Sequence, residues 1–157
     1  MKQIAPIAAA ALAAMVLATP AMAGTASGTM AVSATVVSTC RSDAADLSFG
    51  EVNDRNPRGS AQSLLSLTCT PGTPYAVSID NGRNGNRTMV DATGSRALAY
   101  QIYRDAAASQ PWGSGSSGVS GLTPANGRVV LNAYGRIVAN RAVAGHYSDV
   151  VTVTVDF

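Results

Sequence analysis

The sequence predicts an antiparallel β-sandwich. Several short segments alternate apolar and polar residues with a period of two, which is the pattern of strands with one buried face. Clusters of Gly, Pro, Asn and Ser separate these segments, and such residues favour turns. No stretch beyond residue 23 has helical periodicity with caps. A globular β-barrel is the alternative arrangement of the same strands.

The first 23 residues have the composition of a secretory signal peptide. A basic start at Lys2 precedes an apolar run over Ile4–Ala18, and Ala21-Met22-Ala23 forms an A-x-A cleavage site. The alternative is a membrane anchor, but the run is shorter than the roughly 20 residues that a spanning helix needs. We therefore expect residues 1–23 to be removed and the remaining chain to be exported without membrane insertion.

Residues 24–36 follow the predicted cleavage site and predict a strand with one apolar face. The odd positions carry mostly hydroxyl groups, and no turn within the segment folds it back on itself. A strand at this position can pair with its own sheet or with the sheet of another molecule, and we expect the second. Its apolar, even-numbered positions include Ala26, Gly28, Met30, Val32 and Ala34.

Residues 37–157 then form one domain with several further strands. The predicted strands are Thr29–Cys40, which continues from the N-terminal segment, and then Ala61–Thr70, Tyr75–Ile79, Met89–Val90, Arg96–Arg104, Gly127–Gly135 and Tyr147–Phe157. Their expected inward residues include Leu65, Leu67 and Cys69; Val77 and Ile79; Leu98, Tyr100 and Ile102; Val129, Leu131 and Ala133; and Val151, Val153, Val155 and Phe157. The Ser/Gly-rich stretch Ala106–Gly121 is predicted to be a loop.

The two cysteines, Cys40 and Cys69, favour a disulfide because an even count is typical of exported chains. The bond would close a loop of about 30 residues and stabilise the fold by roughly 3–4 kcal/mol. A metal site or a catalytic thiol is the alternative. Two cysteines and the single histidine, His146, are too few for a typical zinc site.

Composition argues against several classes of function. The chain has 11 basic and 9 acidic residues in a scattered pattern, with no basic patch for nucleic acid. Gly113–Gly118 matches G-x-G-x-x-G only within a flexible loop, and Asp80–Gly85 lacks the ligands of a calcium loop. Trp112 is a candidate for sugar stacking, with packing over a sheet end as the alternative. We expect no catalytic residue, metal or cofactor.

Three blocks of the sequence resemble the spore coat protein U domain. Ala99–Ala107 is similar to its Y-x-(I/V/L)-Y-x-(D/N) element, and Tyr134–Ile137 with Ala144–Phe157 is similar to its C-terminal block. Cys40, Leu47–Gly50 and Cys69 stand where that family places its first cysteine, its L-x-F-G element and its second cysteine. The resemblance covers essentially all of residues 24–157.

Such domains include the subunits of archaic (Csu-type) chaperone–usher pili, so the resemblance implies an incomplete immunoglobulin-like sandwich completed by a donor strand. It implies three kinds of partner: a periplasmic chaperone, an outer-membrane usher, and identical or related pilin subunits. It also implies export to the periplasm, then a place in a surface pilus that supports adhesion or biofilm formation, or secretion. The implied donor residues are Ala26, Gly28, Met30, Val32 and Ala34, and the implied acceptor groove and chaperone-binding edge is Val151, Val153, Val155 and Phe157.

Two other functions remain open on the sequence alone. A tip adhesin-type binding module usually carries a second, receptor-binding domain. A self-complemented secreted coat protein would fold residues 24–36 into its own sandwich, and the sequence barely distinguishes this from a pilin. An enzyme would need a polar cluster that the sequence does not contain.

Overall fold

The computed structural model of the protein describes residues 23–53, 58–139 and 142–157. The chain divides into two units, Met1–Thr35 and Val36–Phe157. Apart from Ala23, the predicted signal peptide lies outside the described residues. In the described part, no helix is both long and apolar enough to cross a membrane.

The strand predicted over Thr29–Cys40 is not a strand in this structure. Residues 23–39 have no regular secondary structure, and the side chains of Met30 and Val32 are 86% and 89% exposed. The first strand begins only at Cys40. An extended segment becomes a stable strand when a neighbouring strand completes its hydrogen bonds, and the alternating pattern alone does not supply that neighbour.

The described part of the second unit is all-β apart from one short 3₁₀ turn, Gly115–Ser117. Its strands are β1 Cys40–Ala44, β2 Ser60–Cys69, β3 Pro74–Ile79, β4 Thr88–Asp91, β5 Ala97–Tyr103, β6 Val119–Leu122, β7 Arg128–Ile137, β8 Tyr147–Ser148 and β9 Val153–Asp156. They form two antiparallel sheets, a large one ordered β1-β2-β7-β5-β4-β8 and a small one ordered β6-β3-β9. The predicted antiparallel sandwich is therefore confirmed.

The core lies between the sheets and follows the alternation in the sequence. Successive side chains of a strand point to opposite faces, so every second residue of β2, β3 and β5 enters the same interior. Ala133 and Leu131 of β7 are only half-buried against this core. The buried hydrophobic residues are Leu65, Leu67, Cys69, Val77, Ile79, Leu98, Tyr100, Ile102, Trp112, Val129 and Ile137.

A disulfide joins Cys40 to Cys69, as predicted. The two residues lie directly opposite each other in the β1–β2 ladder. The bond therefore fixes the start of edge strand β1 to the end of β2. Its loop closure also restricts the unfolded chain.

Trp112 and Arg87 connect the two sheets. The Trp112 backbone N–H donates to the carbonyl of Ile102 in β5 at 2.9 Å, and its indole N–H donates to the carbonyl of Val77 in β3 at 3.2 Å. The Arg87 guanidinium donates to the carbonyls of Trp112 at 2.7 Å and Ile79 at 3.2 Å. Trp112 is 1% exposed, so the sugar-stacking interpretation is wrong and the residue packs inside the sandwich.

Two further elements differ from the prediction by more than a shift of their ends. Strand β6 lies mostly in the stretch that was predicted to be a loop. The sequence did not reveal it because only Val119 of its four residues is partly buried, so the period-two pattern is weak. The single strand predicted over Tyr147–Phe157 is divided into β8, which pairs with β4, and β9, which pairs with β3. The chain changes sheets between them, and this change gives the candidate site its shape.

Candidate functional site

A cavity of about 1560 Å³ opens inside the sandwich, and we call it the groove. It arises because the small sheet has three strands and cannot cover the whole inner face of the large sheet, which has six. Its floor is mostly apolar and includes Leu65, Met89, Leu98, Tyr100, Ile102, Ala133 and Ile137 of the large sheet, with Ile79 and Trp112.

One wall of the groove is the segment 44–53, which begins at the last residue of β1. Its side chains Leu47 and Phe49 pack over Gly135 of β7. A β-carbon at Gly135 would lie 2.8 Å from the Phe49 ring and 2.9 Å from Leu47, so this close approach requires glycine. The Phe49 ring also lies against Tyr100, with ring centroids 6.3 Å apart. The short Leu47–Gly50 segment is therefore held on the inner face of the large sheet.

The other wall is formed by residues 142–151 together with Val153. Strand β9, which continues this wall, is an edge strand that pairs only with β3 in the described part of the chain. An edge strand presents a row of backbone N–H and C=O groups that can pair with another strand. The groove thus combines an apolar floor with a strand edge open to pairing.

The four predicted acceptor residues do not all lie in the groove. Val151 and Val153 line the groove. Val155 is half-buried and packs against the core. Phe157 is 58% exposed and is not among the groove-lining residues. Their binding role, like that of the five donor residues in the first unit, stays a prediction.

Asp149 holds the chain where it changes sheets, between β8 and β9. Its Oδ1 accepts hydrogen bonds from the backbone N–H and the side-chain amide of Asn84, at 3.2 and 3.0 Å. Its Oδ2 accepts one from the hydroxyl of Tyr100, at 2.8 Å. The wall segment is therefore attached both to the Asn81–Arg87 loop and to the groove floor.

Asp80 makes a second attachment to the same segment. Its Oδ1 accepts from the backbone N–H groups of Thr152 and Gly82, both at 2.9 Å, and its own N–H donates to the Thr152 carbonyl at 3.0 Å. The Arg83 N–H donates to the Val150 carbonyl at 2.8 Å. The hydrogen bonds from Thr152 and Gly82 lower the pKa of Asp80 below its ordinary value of 3.8, because they stabilise the carboxylate.

This shift predicts a pH dependence for the variant Asp80→Asn. Because the folded-state pKa is lowered, the carboxylate stabilises the fold fully above pH ~4, and this contribution disappears as the pH falls through the folded-state pKa. Urea unfolding from pH 7 to pH 2.5 should show a wild-type advantage that becomes smaller toward the acid end. An advantage that is unchanged at pH 2.5 would contradict the assignment.

The remaining sequence candidates do not form chemical sites in the described residues. The G-x-G-x-x-G match contains the 3₁₀ turn Gly115–Ser117 and precedes no α-helix there, so the phosphate-binding geometry is missing. His146 is exposed. No group of three or more His, Cys, Asp or Glu side chains is arranged to hold a metal ion among the residues described.

Sequence reasoning missed the contacts that hold the groove wall in place. The contacts of Asp149, Asn84 and Asp80 join residues about 65–72 positions apart, which no local pattern reveals. Tyr100 and Asp149 both lie in the blocks that carry the family resemblance, which was the one available signal. Leu47 and Phe49 form a short apolar piece in the sequence, but nothing in the sequence indicates that they pack over Gly135.

The fold and the groove define a β-sandwich domain with an unfilled edge. The chain belongs to the Spore Coat Protein U domain family, whose model matches residues 26–154. No curated protein matches it.

A solved structure is similar over most of this chain. It is a chain of the CsuC–CsuE chaperone–tip adhesion subunit pre-assembly complex from archaic chaperone–usher Csu pili of Acinetobacter baumannii. The two chains are 34% identical with a TM-score of 0.65. The match covers 78% of this chain and 41% of that chain.

Proposed function

We propose that this protein is a structural subunit of a surface pilus assembled by the chaperone–usher route. In this proposal, residues 24–36 of one subunit fill the groove of the next. The observation that carries it is the groove of about 1560 Å³, which runs beside the open edge of β9. The likeness to a chain from a chaperone–pilus subunit complex supports the same conclusion.

The N-terminal segment has the chemistry that the groove needs. Its even-numbered side chains are apolar and mostly small, and its other face carries mostly hydroxyl groups. A strand inserted beside β9 would pair with the free backbone groups while its apolar side chains contact the floor. Each partner would thus cover an apolar surface that the other leaves exposed.

Chain length argues against insertion of the segment into its own groove in the antiparallel direction. Cys40 is bonded to Cys69, and β2 turns into β3 just beyond, at the end of the sandwich where β9 finishes. An antiparallel donor that pairs along the whole of β9 would end near Val150, about 20 Å from Cys40 at ~3.3 Å per residue. The link from Val36 to Cys40 can span only about 14 Å.

A parallel self-insertion would need a tight hairpin just before Cys40. The residues available for it are Val36-Val37-Ser38-Thr39, which contain no Gly, Asn or Pro. Tight hairpin turns require positive φ, which Gly and Asn adopt readily and β-branched residues such as Val and Thr disfavour. Both arguments support a donor from another copy or a related subunit.

This geometry has consequences for the partners. A head-to-tail contact that does not close on itself builds a filament. A subunit with an open groove exposes apolar surface and a strand edge, so it needs a periplasmic chaperone before an outer-membrane usher passes it to the fibre. The role is structural rather than catalytic, and the chain acts after export, at the cell surface.

Deleting residues 24–36 tests the proposal against self-complementation. We expect the shortened chain to remain associated with a co-expressed periplasmic chaperone but to form no polymers, because its groove is intact and its donor is missing. Chaperone pull-down and gel filtration measure the two properties. A shortened chain that unfolds and no longer binds chaperone would show that the segment completes its own fold.

A further inference from the structure

The segment from Asp149 to Thr152 is part of the groove wall that leads into β9, yet it belongs to neither sheet ladder. It leaves the large sheet after Ser148 and enters the small sheet at Val153. Its position is fixed mainly from the side, by the contacts of Asp149 and Asp80 and by the Arg83–Val150 backbone hydrogen bond. The contacts that fix the position of this segment therefore also fix how far the open edge of β9 lies from the groove floor.

Tyr100 links that wall directly to the floor. Its side chain is 5% exposed and lines the groove, with its ring beside Phe49. Its hydroxyl donates a hydrogen bond from the floor to Asp149 Oδ2 in the wall, at 2.8 Å. Burial and the bond to Asp149 raise the pKa of Tyr100, so the hydroxyl keeps its proton and remains a donor.

The loop on the other side of Asp149 is shaped to admit the carboxylate. Gly82 has a φ of +80°, and a β-carbon at this position would collide with the Asp149 carboxylate. Asn84 donates two hydrogen bonds to the same carboxylate from this loop. Asp149 is therefore held between the loop and Tyr100 and cannot shift without breaking contacts on one side.

We propose that Tyr100 and Asp149 form a positioning pair for strand acceptance. The pair holds the wall segment so that an incoming strand meets the free backbone groups of β9 and the apolar floor at the same time. This inference rests on the proposed function, because it assigns the pair a role in donor-strand binding beyond its contribution to folding.

The variant Tyr100→Phe separates the two roles, because it keeps the ring on the floor and removes only the hydroxyl. Tyr103→Phe is the matched control: Tyr103 lies in the same strand, and its hydroxyl makes no hydrogen bond to a described residue. The probe is a fluorescent synthetic peptide with the sequence of residues 24–36. The full mature chain is refolded from denaturant with this peptide, and dissociation of the complex is followed in excess unlabelled peptide.

We expect Tyr100→Phe to release the peptide about tenfold faster than wild type, because the wall segment is no longer held to the floor; the full effect of one hydrogen bond to a charged acceptor is the upper limit. Tyr103→Phe should release it at the wild-type rate. Adding Tyr100→Phe to Asp149→Asn should change the release rate less than Tyr100→Phe does in the wild type, because the hydrogen bond between the hydroxyl and the carboxylate is already absent. The urea midpoint of the peptide-free chain is measured for each variant.

The outcomes distinguish the two levels of the proposal. If wild type does not bind the peptide, the donor-strand function fails and the positioning role falls with it. If wild type binds but Tyr100→Phe releases the peptide at the wild-type rate, the positioning role alone is overturned, whatever happens to the urea midpoint. If Asp149→Asn does not fold, the Tyr100→Phe and Tyr103→Phe comparison still decides.

Discussion

A chain in which Met30 and Val32 are both replaced by Asp should fail to assemble into polymers. Both side chains lie on the apolar face of the N-terminal segment and are almost fully exposed in the chain itself. In an assembled fibre they would contact the groove floor. Burying side chains of this size contributes about 1.5–3 kcal/mol each, and an unpaired carboxylate in the same place costs several kcal/mol.

The matched control is the pair Thr29→Asp and Ser33→Asp, which adds the same charge to the hydroxyl face of the segment. We expect this variant to keep forming polymers, since that face would stay in solvent in the proposed fibre. Gel filtration of the exported proteins compares the two. Equal loss of assembly in both variants would mean that charge, and not the buried face, decides the result, and the assignment of the donor face would be wrong.

The variant Arg87→Ala should destabilise the sandwich by about 2–4 kcal/mol. Arg87 is 3% exposed, and its guanidinium donates to carbonyls of Ile79 and Trp112 and to the Gln101 side chain. Removing the guanidinium eliminates the cost of burying its charge, but it also leaves these acceptors without a hydrogen-bond donor. Alanine keeps a β-carbon at φ +55°, so backbone strain does not account for the loss.

Urea unfolding at pH 7 measures this effect, with Arg128→Ala as the control. Arg128 is exposed, and its guanidinium makes no hydrogen bond to a described residue. Its replacement should change the unfolding free energy by less than about 0.5 kcal/mol. A loss for Arg87→Ala no larger than that of the control would show that the guanidinium does not hold the two sheets together.

The sequence predicted the sandwich because its core residues repeat locally. Leu65 and Leu67 in β2, and Leu98 and Ile102 in β5, alternate with exposed or half-buried residues, and this pattern depends only on the geometry of a strand. Pairing order and register depend on contacts between distant residues. The missed strand β6 has little buried surface, so it left no comparable pattern.

The groove was harder to predict because it is a space that the described strands of the sandwich leave open. A missing strand leaves no residues to recognise, and the walls come from segments far apart in sequence, 44–53 and 142–151. The family blocks nevertheless contain the residues that shape it. Gly135 admits Leu47 and Phe49, and Tyr100 bonds to Asp149, so these motif residues serve structure rather than chemistry.

The most direct test is SDS electrophoresis of the exported mature protein, co-expressed with a periplasmic chaperone and an outer-membrane usher, before and after boiling. The account predicts a ladder of bands in the unboiled sample that collapses to one band on boiling, because inserted strands lock each subunit to the next. A single well-folded monomer, produced without any chaperone, would contradict it and would show that residues 24–36 complete the fold of their own chain.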